Sequence, residues 1–187
     1  HGDWAFKLDA EMLSGGLGGN RQIGYDIKFI PTYFISDAFS VYAGPYYEHI
    51  PDWLVWQHDN LIGRFDEHTL QLDAGFDWSI DDRQELRLKL QAIGLDARSR
   101  GGYRVDANGR AVASTDDVGD FSVRNLGLQI RYRYELAPLS YLYVVYGRGG
   151  YAQDEDYPYR TGGVFGNTFS LRDDEQLLVK LSYRLDI

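Results

Sequence analysis

The chain has no cysteine and a single methionine. That excludes a disulfide scaffold, thiol chemistry and any cysteine-based zinc site. It also lacks any run approaching the ~20 consecutive apolar residues of a spanning helix. With a mean hydropathy of −0.40, a helical membrane protein is excluded. A membrane barrel is not, because its strands give only alternate positions to lipid. Basic charge is scarce: 19 Lys and Arg stand against 28 Asp and Glu, a net charge of −9 with no basic stripe. No nucleic-acid partner is expected. None of the serines sits in a Gly-x-Ser-x-Gly elbow. Gly15-Gly-Leu-Gly-Gly19 has no strand-helix-strand setting, so it reads as a flexible loop rather than a dinucleotide fingerprint. There is no starting Met or signal peptide, so the chain reads as a mature form or an excised piece. Its 187 residues suit one domain, 1–187.

Aromatic residues, in contrast, are abundant: 15 Tyr, 9 Phe and 4 Trp. Tyr and Trp favour places with one apolar and one wet side, such as membrane interfaces. The stretch from Leu177 to Ile187 alternates Leu177, Val179, Leu181, Tyr183, Leu185 and Ile187 with Leu178, Lys180, Ser182, Arg184 and Asp186. In a strand these sets point to opposite faces, one apolar and one mostly charged.

Seven further segments show signs of the same period of two, which predicts strands at about 4–13, 22–34, 38–48, 68–80, 84–95, 121–136, 140–148 and 176–187. The fourth is very regular, with Leu70, Leu72, Ala74, Phe76, Trp78 and Ile80 against Gln71, Asp73, Asp77 and Ser79. The fifth contains good helix formers. Its leucines at 86, 88 and 90 nevertheless gather on one strand face and scatter around a helix.

Short turns are expected at Ser36-Asp37, Asp81-Asp82-Arg83 and Ala137-Pro-Leu-Ser140, and long polar loops at the opposite end of the sheet. That asymmetry is typical of outer-membrane barrels. The expectation is an all-β, antiparallel, up-and-down transmembrane barrel of eight strands, with short periplasmic turns and long outer loops. A soluble lipocalin-like barrel, with the same faces inverted, is the rival. The shared end of the long loops, aromatics near strand ends and an apolar face running to the last residue favour the membrane. Leu72, Ala74, Phe76, Leu88, Leu90, Leu128, Ile130, Val179 and Leu181 are expected to face lipid.

Several phrases carry a resemblance: Asp59-Asn-Leu-Ile-Gly-Arg-Phe, Thr69-Leu-Gln-Leu-Asp-Ala-Gly-Phe-Asp-Trp, Arg83-Gln-Glu-Leu-Arg-Leu-Lys-Leu-Gln-Ala-Ile-Gly, Ile130-Arg-Tyr-Arg-Tyr-Glu-Leu and Lys180-Leu-Ser-Tyr-Arg-Leu. Over about residues 55–187 the chain resembles the C-terminal region of a bacterial family of unknown function. In that family a module resembling a family 9 carbohydrate-binding domain precedes a presumed outer-membrane barrel. The resemblance implies an outer-membrane setting in a Gram-negative bacterium and a carbohydrate association. It carries sugar binding to no residue of this chain. Ile187 departs from the usual terminal aromatic of outer-membrane strands.

Charged residues of the polar faces are balanced: Lys7, Lys28, Arg87, Lys89, Arg131, Arg133, Lys180 and Arg184 against Asp9, Glu11, Asp26, Asp73, Asp77, Glu85, Glu135 and Asp186. In an eight-stranded barrel, just wide enough to be filled by side chains, they should pair into a plug. Closure would set Lys7 near Asp186 and Asp9 near Arg184, and is expected at eight strands rather than as part of a wider barrel.

The expected loop 48–68 gathers His49, His58 and His68 with Glu48, Asp52, Asp59, Asp66 and Glu67. Imidazole with carboxylate can bind a transition metal or activate water. His49, His58, His68, Asp52 and Asp59 are therefore the catalytic candidates, although plain surface groups are the commoner reading. Trp53, Leu54, Val55 and Trp56 read as an interfacial belt or a loop folded on the rim. Asp116, Asp117, Asp154, Glu155 and Asp156 are weak candidates for divalent cations at outer loops; no other cofactor is expected. The primary functional expectation is a membrane anchor or binding scaffold. Its partners would be the bilayer, lipopolysaccharide, the assembly machinery and an outer-loop ligand or protein. The alternatives are a barrel hydrolase using the His-rich loop and a narrow passive channel.

Overall fold

Alternating side chains and tight polar turns build one antiparallel sheet. The computed structural model describes residues 2–17, 21–155 and 157–185. Its strands are β1 (Asp3–Gly15), β2 (Gln22–Ser36), β3 (Phe39–His58), β4 (Leu61–Asp81), β5 (Gln84–Val105), β6 (Ala111–Ser114), β7 (Phe121–Ala137), β8 (Ser140–Glu155) and β9 (Asp174–Ser182). One helix, α1 (Thr161–Thr168), lies between β8 and β9. The sheet has nine strands in the order β1-β2-β3-β4-β5-β7-β8-β9, with β6 paired to the far end of β5.

The three short turns fall where the sequence places them. Their polar side chains take up turn amides: Ser36 Oγ accepts from Ala38 N at 3.2 Å and Asp81 Oδ1 from Arg83 N at 2.8 Å. Leu139 adopts a positive φ of 61° in the third.

The opposite end differs from expectation. Residues 48–68 are not a loop, because β3 and β4 continue through them to a tight turn at Asp59-Asn60, with Asp59 at φ 46°. Register shifts between Ile50 and Trp53 and between Trp56 and His58 interrupt the alternation. A bulge inserts a residue and breaks the sequence period while the ladder survives. Strands of 20–22 residues are about twice the ~9–11 needed to cross a bilayer.

Register places the apolar residues on one continuous face. Leu8 lies opposite Phe29, Ala43 opposite Ala74, Phe76 opposite Leu88, Leu88 opposite Ile130, and Val144 opposite Val179. Every described residue of β9, and all of β1, is exposed. Large apolar side chains therefore stand open at both margins, including Leu8 at 64%, Met12 at 75%, Leu177 at 69% and Leu181 at 64%.

The sheet is open. β1 pairs with β2 and β9 with β8, and among the described residues no ladder joins β1 to β9. Of the expected seam residues, Lys7 pairs with Asp9 on its own strand at 2.7 Å, and Asp186, like Ile187, lies outside the described residues. Balanced charge does not select a strand partner; register follows the backbone ladder and the buried face.

The expected charge plug is only partly assembled. Lys28 bonds Asp73 at 2.6 Å. Arg87 meets Asp77 at 2.8 Å and also Glu85, which is shared with Arg133 at 3.0 Å and Arg131 at 3.5 Å. Glu11, Asp26, Lys89, Glu135 and Lys180 form no ion pair within 4.0 Å among the described residues. Between the charges lies an open groove of about 550 Å³, lined by residues including Tyr42, Asp73, Lys89, Gln91 and Gln129.

Farther along, the same face turns apolar. Leu61, Phe65, Ala97 and Val118 are buried there, with Trp53, Val55, Leu95 and Phe121 packed on them. Trp53 and Val55 thus belong to a core, not to a belt; Trp56, on the other face, is 67% exposed. A second core sits on the opposite face, where Ala92, Leu126 and Leu171 are buried against Leu90, Ala152 and Phe165. Leu90, expected to face lipid, is thus packed beside the segment that carries α1.

Candidate functional site

Two histidines meet across the β3–β4 ladder. His49 and His68 are direct cross-strand partners, and Asp66 lies two residues before His68 on the same side of β4. Alternation makes that the apolar face, but beyond Leu70, above the apolar rows. The imidazoles stack with centroids 4.2 Å apart and planes within 2°. His49 Nε2 lies 2.8 Å from Asp66 Oδ1, and His68 Nε2 3.8 Å from the same oxygen. Arg100 pairs with the other oxygen, Oδ2. Tyr47 Oη is 2.9 Å from His68 Nδ1, and the Tyr25 ring stands edge-on to His49 at 5.7 Å.

Electrostatics agree with the geometry. Burial works against ionising Asp66, but bonds from His49 and Arg100 outweigh it and hold the carboxyl below its usual range. Burial, and then the neighbouring His49, lower the pKa of His68, so its imidazole is neutral at physiological pH. Asp66 opposes that shift more weakly. Glu67 points to the other face and is 1% exposed. Burial pushes its carboxyl up to about 7, against the bond donated by Thr69.

The sequence candidates divide accordingly. His49 and His68 converge. His58, nine residues along the same strand from His49, is about 30 Å away at ~3.3 Å per residue. It sits exposed at the hairpin tip, 3.2 Å from Asp59. Asp52 instead pairs with Arg64 at 3.2 Å. Asp66 was visible only as one of several acids, because its Asp-x-His spacing has meaning in a strand and none in a loop.

Among the described residues, the acidic candidates form no group of three placed to hold an ion. Asp116 bonds Arg104 at 2.5 Å and Asp154 bonds Arg124 at 2.7 Å. Asp117 and Glu155 join no cluster, and Asp156 lies outside the described residues. Among the described residues, His49, Asp66 and His68 are the one group of three with ligand atoms all within 4.8 Å of one another.

Comparison with known proteins gives a family without an activity. No curated protein and no solved structure matches the chain. A family model described as "Domain of unknown function (DUF5916)" matches residues 3–187, and the chain belongs to that family.

Proposed function

We propose that this chain is the wall of a bacterial outer-membrane β-barrel and acts as a membrane anchor and scaffold for what its outer end holds. The observation that carries the reading is the unbroken apolar face running from Trp4, Phe6 and Leu8 on β1 to Leu177, Val179 and Leu181 on β9. Exposed apolar surface on this scale is unusual for a soluble monomer, and lipid would cover it without any partner. The grouping of the three short turns at one end supports the same orientation, with the long β3–β4 and β4–β5 extensions reaching away from the bilayer. The crossing part of β4 would be Leu70–Ile80, with Phe76 and Trp78 near the turn-side interface.

Backbone groups along an unpaired strand cannot be left in hydrocarbon. The open edges of β1 and β9 therefore favour a barrel wider than eight strands, completed by strands beyond these two edges. In such a barrel the charged face lines a hydrated lumen, which suits the groove between Asp73, Lys89 and Gln129.

The test is extraction and gel migration. The membrane fraction should release the protein only into detergent, and unheated protein should migrate differently from heated protein. Ile130→Arg should destabilise folding by ~2–4 kcal/mol if the position is near the midplane. A protein that is fully soluble and monomeric without detergent would overturn the reading.

A further inference from the structure

We propose that His49, Asp66 and His68 form a binding site for a first-row divalent transition ion, of which zinc is the representative, at the base of the β3–β4 extension. The site does not depend on the membrane reading. Three observations carry it. The donor set, two imidazoles and one carboxylate, suits zinc, iron, nickel or copper rather than calcium or magnesium. The geometry is close to what is needed: with bonds of ~2.0–2.2 Å to N and O, ligand atoms about an ion lie roughly 3–3.5 Å apart. Here the carboxylate oxygen is 2.8 Å and 3.8 Å from the two Nε2 atoms and all ligand atoms lie within 4.8 Å of one another, so binding requires the parallel rings to tilt towards each other until both lone pairs meet one ion.

The outer shell is also in place. Tyr47 Oη can accept the Nδ1 proton of His68, leaving Nε2 with its lone pair directed away. Arg100 holds Asp66 by Oδ2 and leaves Oδ1 turned to the imidazoles. Partners of this kind fix tautomer and ligand orientation. The side chains are 20–29% exposed, so an ion would keep an open position for water or a further ligand. A dication bridging the stacked imidazoles and the carboxylate would pin β3 to β4 between the two register shifts and the apolar rows.

The experiment uses the full chain in detergent micelles or, if it needs none, in buffer. His1 and His58 are replaced by Ala, so that His49 and His68 are the only histidines of the original four. Zinc titration followed by calorimetry should give one ion per chain, lost on His68→Ala or Asp66→Ala. Tyr47→Phe should weaken affinity about 10-fold, in the range for outer-shell partners. Copper(II) on the two-histidine chain should show electron-spin coupling to two equivalent imidazole nitrogens, a readout that survives if a ligand variant fails to fold. No saturable zinc binding, binding unchanged by His68→Ala in a folded protein, or a copper spectrum without two-nitrogen coupling would each overturn the site.

Discussion

Asp120, just before β7, illustrates how one side chain can tie two segments together. Its Oδ1 accepts the Ser99 amide at 2.7 Å and its Oδ2 meets Arg98 at 3.0 Å. Burial opposes its ionisation, but the Ser99 bond and then Arg98 outweigh it and depress its pKa. A depressed acid contributes stability above its unfolded pKa, and that contribution is lost as pH falls through the lower folded value. The loss therefore belongs below about pH 4, the ordinary Asp range. Asp120→Ala should cost about 1–2 kcal/mol at pH 7, discounting a charged hydrogen bond for partial exposure. Urea midpoints should show this difference at pH 7 and its disappearance near pH 2.

At the scale of elements, α1 is the clearest case of packing overriding propensity. Its sequence, Thr-Gly-Gly-Val-Phe-Gly-Asn-Thr, is poor in helix formers. The helix forms against β5, where Val164 and Thr168 are fully buried and Thr168 Oγ1 donates to the Ile93 carbonyl at 3.1 Å. Arg148 donates to the Leu171 carbonyl at 2.8 Å and secures the following segment. Gly94 makes the close approach possible: a Cβ there would stand 2.5 Å from Phe165 Cα and 2.6 Å from its nitrogen. Gly94→Val should undock the helix, at a cost of about 1–3 kcal/mol for overpacking, while Gly127→Ala, where nothing lies within 4 Å, should not. Limited proteolysis within residues 157–171 would reveal the difference, and equal protection in both variants would contradict the role given to Gly94.

For the whole molecule, the question is how the sheet closes. A closed eight-stranded barrel would bring Glu11 opposite Ser182 at the seam expected from the sequence. Disulfides form only where Cα atoms lie within roughly 4.4–6.8 Å, and the chain contributes no cysteine of its own. Glu11→Cys with Ser182→Cys should give no disulfide within one chain under mild oxidation. A rapid intrachain crosslink, seen as a shift on a non-reducing gel, would restore closure at eight strands.

The period of two was sufficient to place the eight main strands in order and to assign faces to most of them, though not to the Tyr- and Gly-rich third or to the seventh, apolar on both sides. Alternation is a property of each strand alone, and Leu70 to Ile80 displays it without any neighbour. The polar turns were legible for the same reason, since Ser36 and Asp81 bond to amides two residues away. The continuation of β3 and β4 was not legible, because two register shifts and Pro51 disguised it as a loop, and with it went the meaning of Asp66. Convergence of His49 with His68 is a fact of cross-strand register, which joins residues 19 positions apart. The apolar core around Phe65 and Phe121, the docking of α1 and the open edges of β1 and β9 likewise arise between strands. Local patterning determined which residues share a face; only the long-range ladder decided which of them touch.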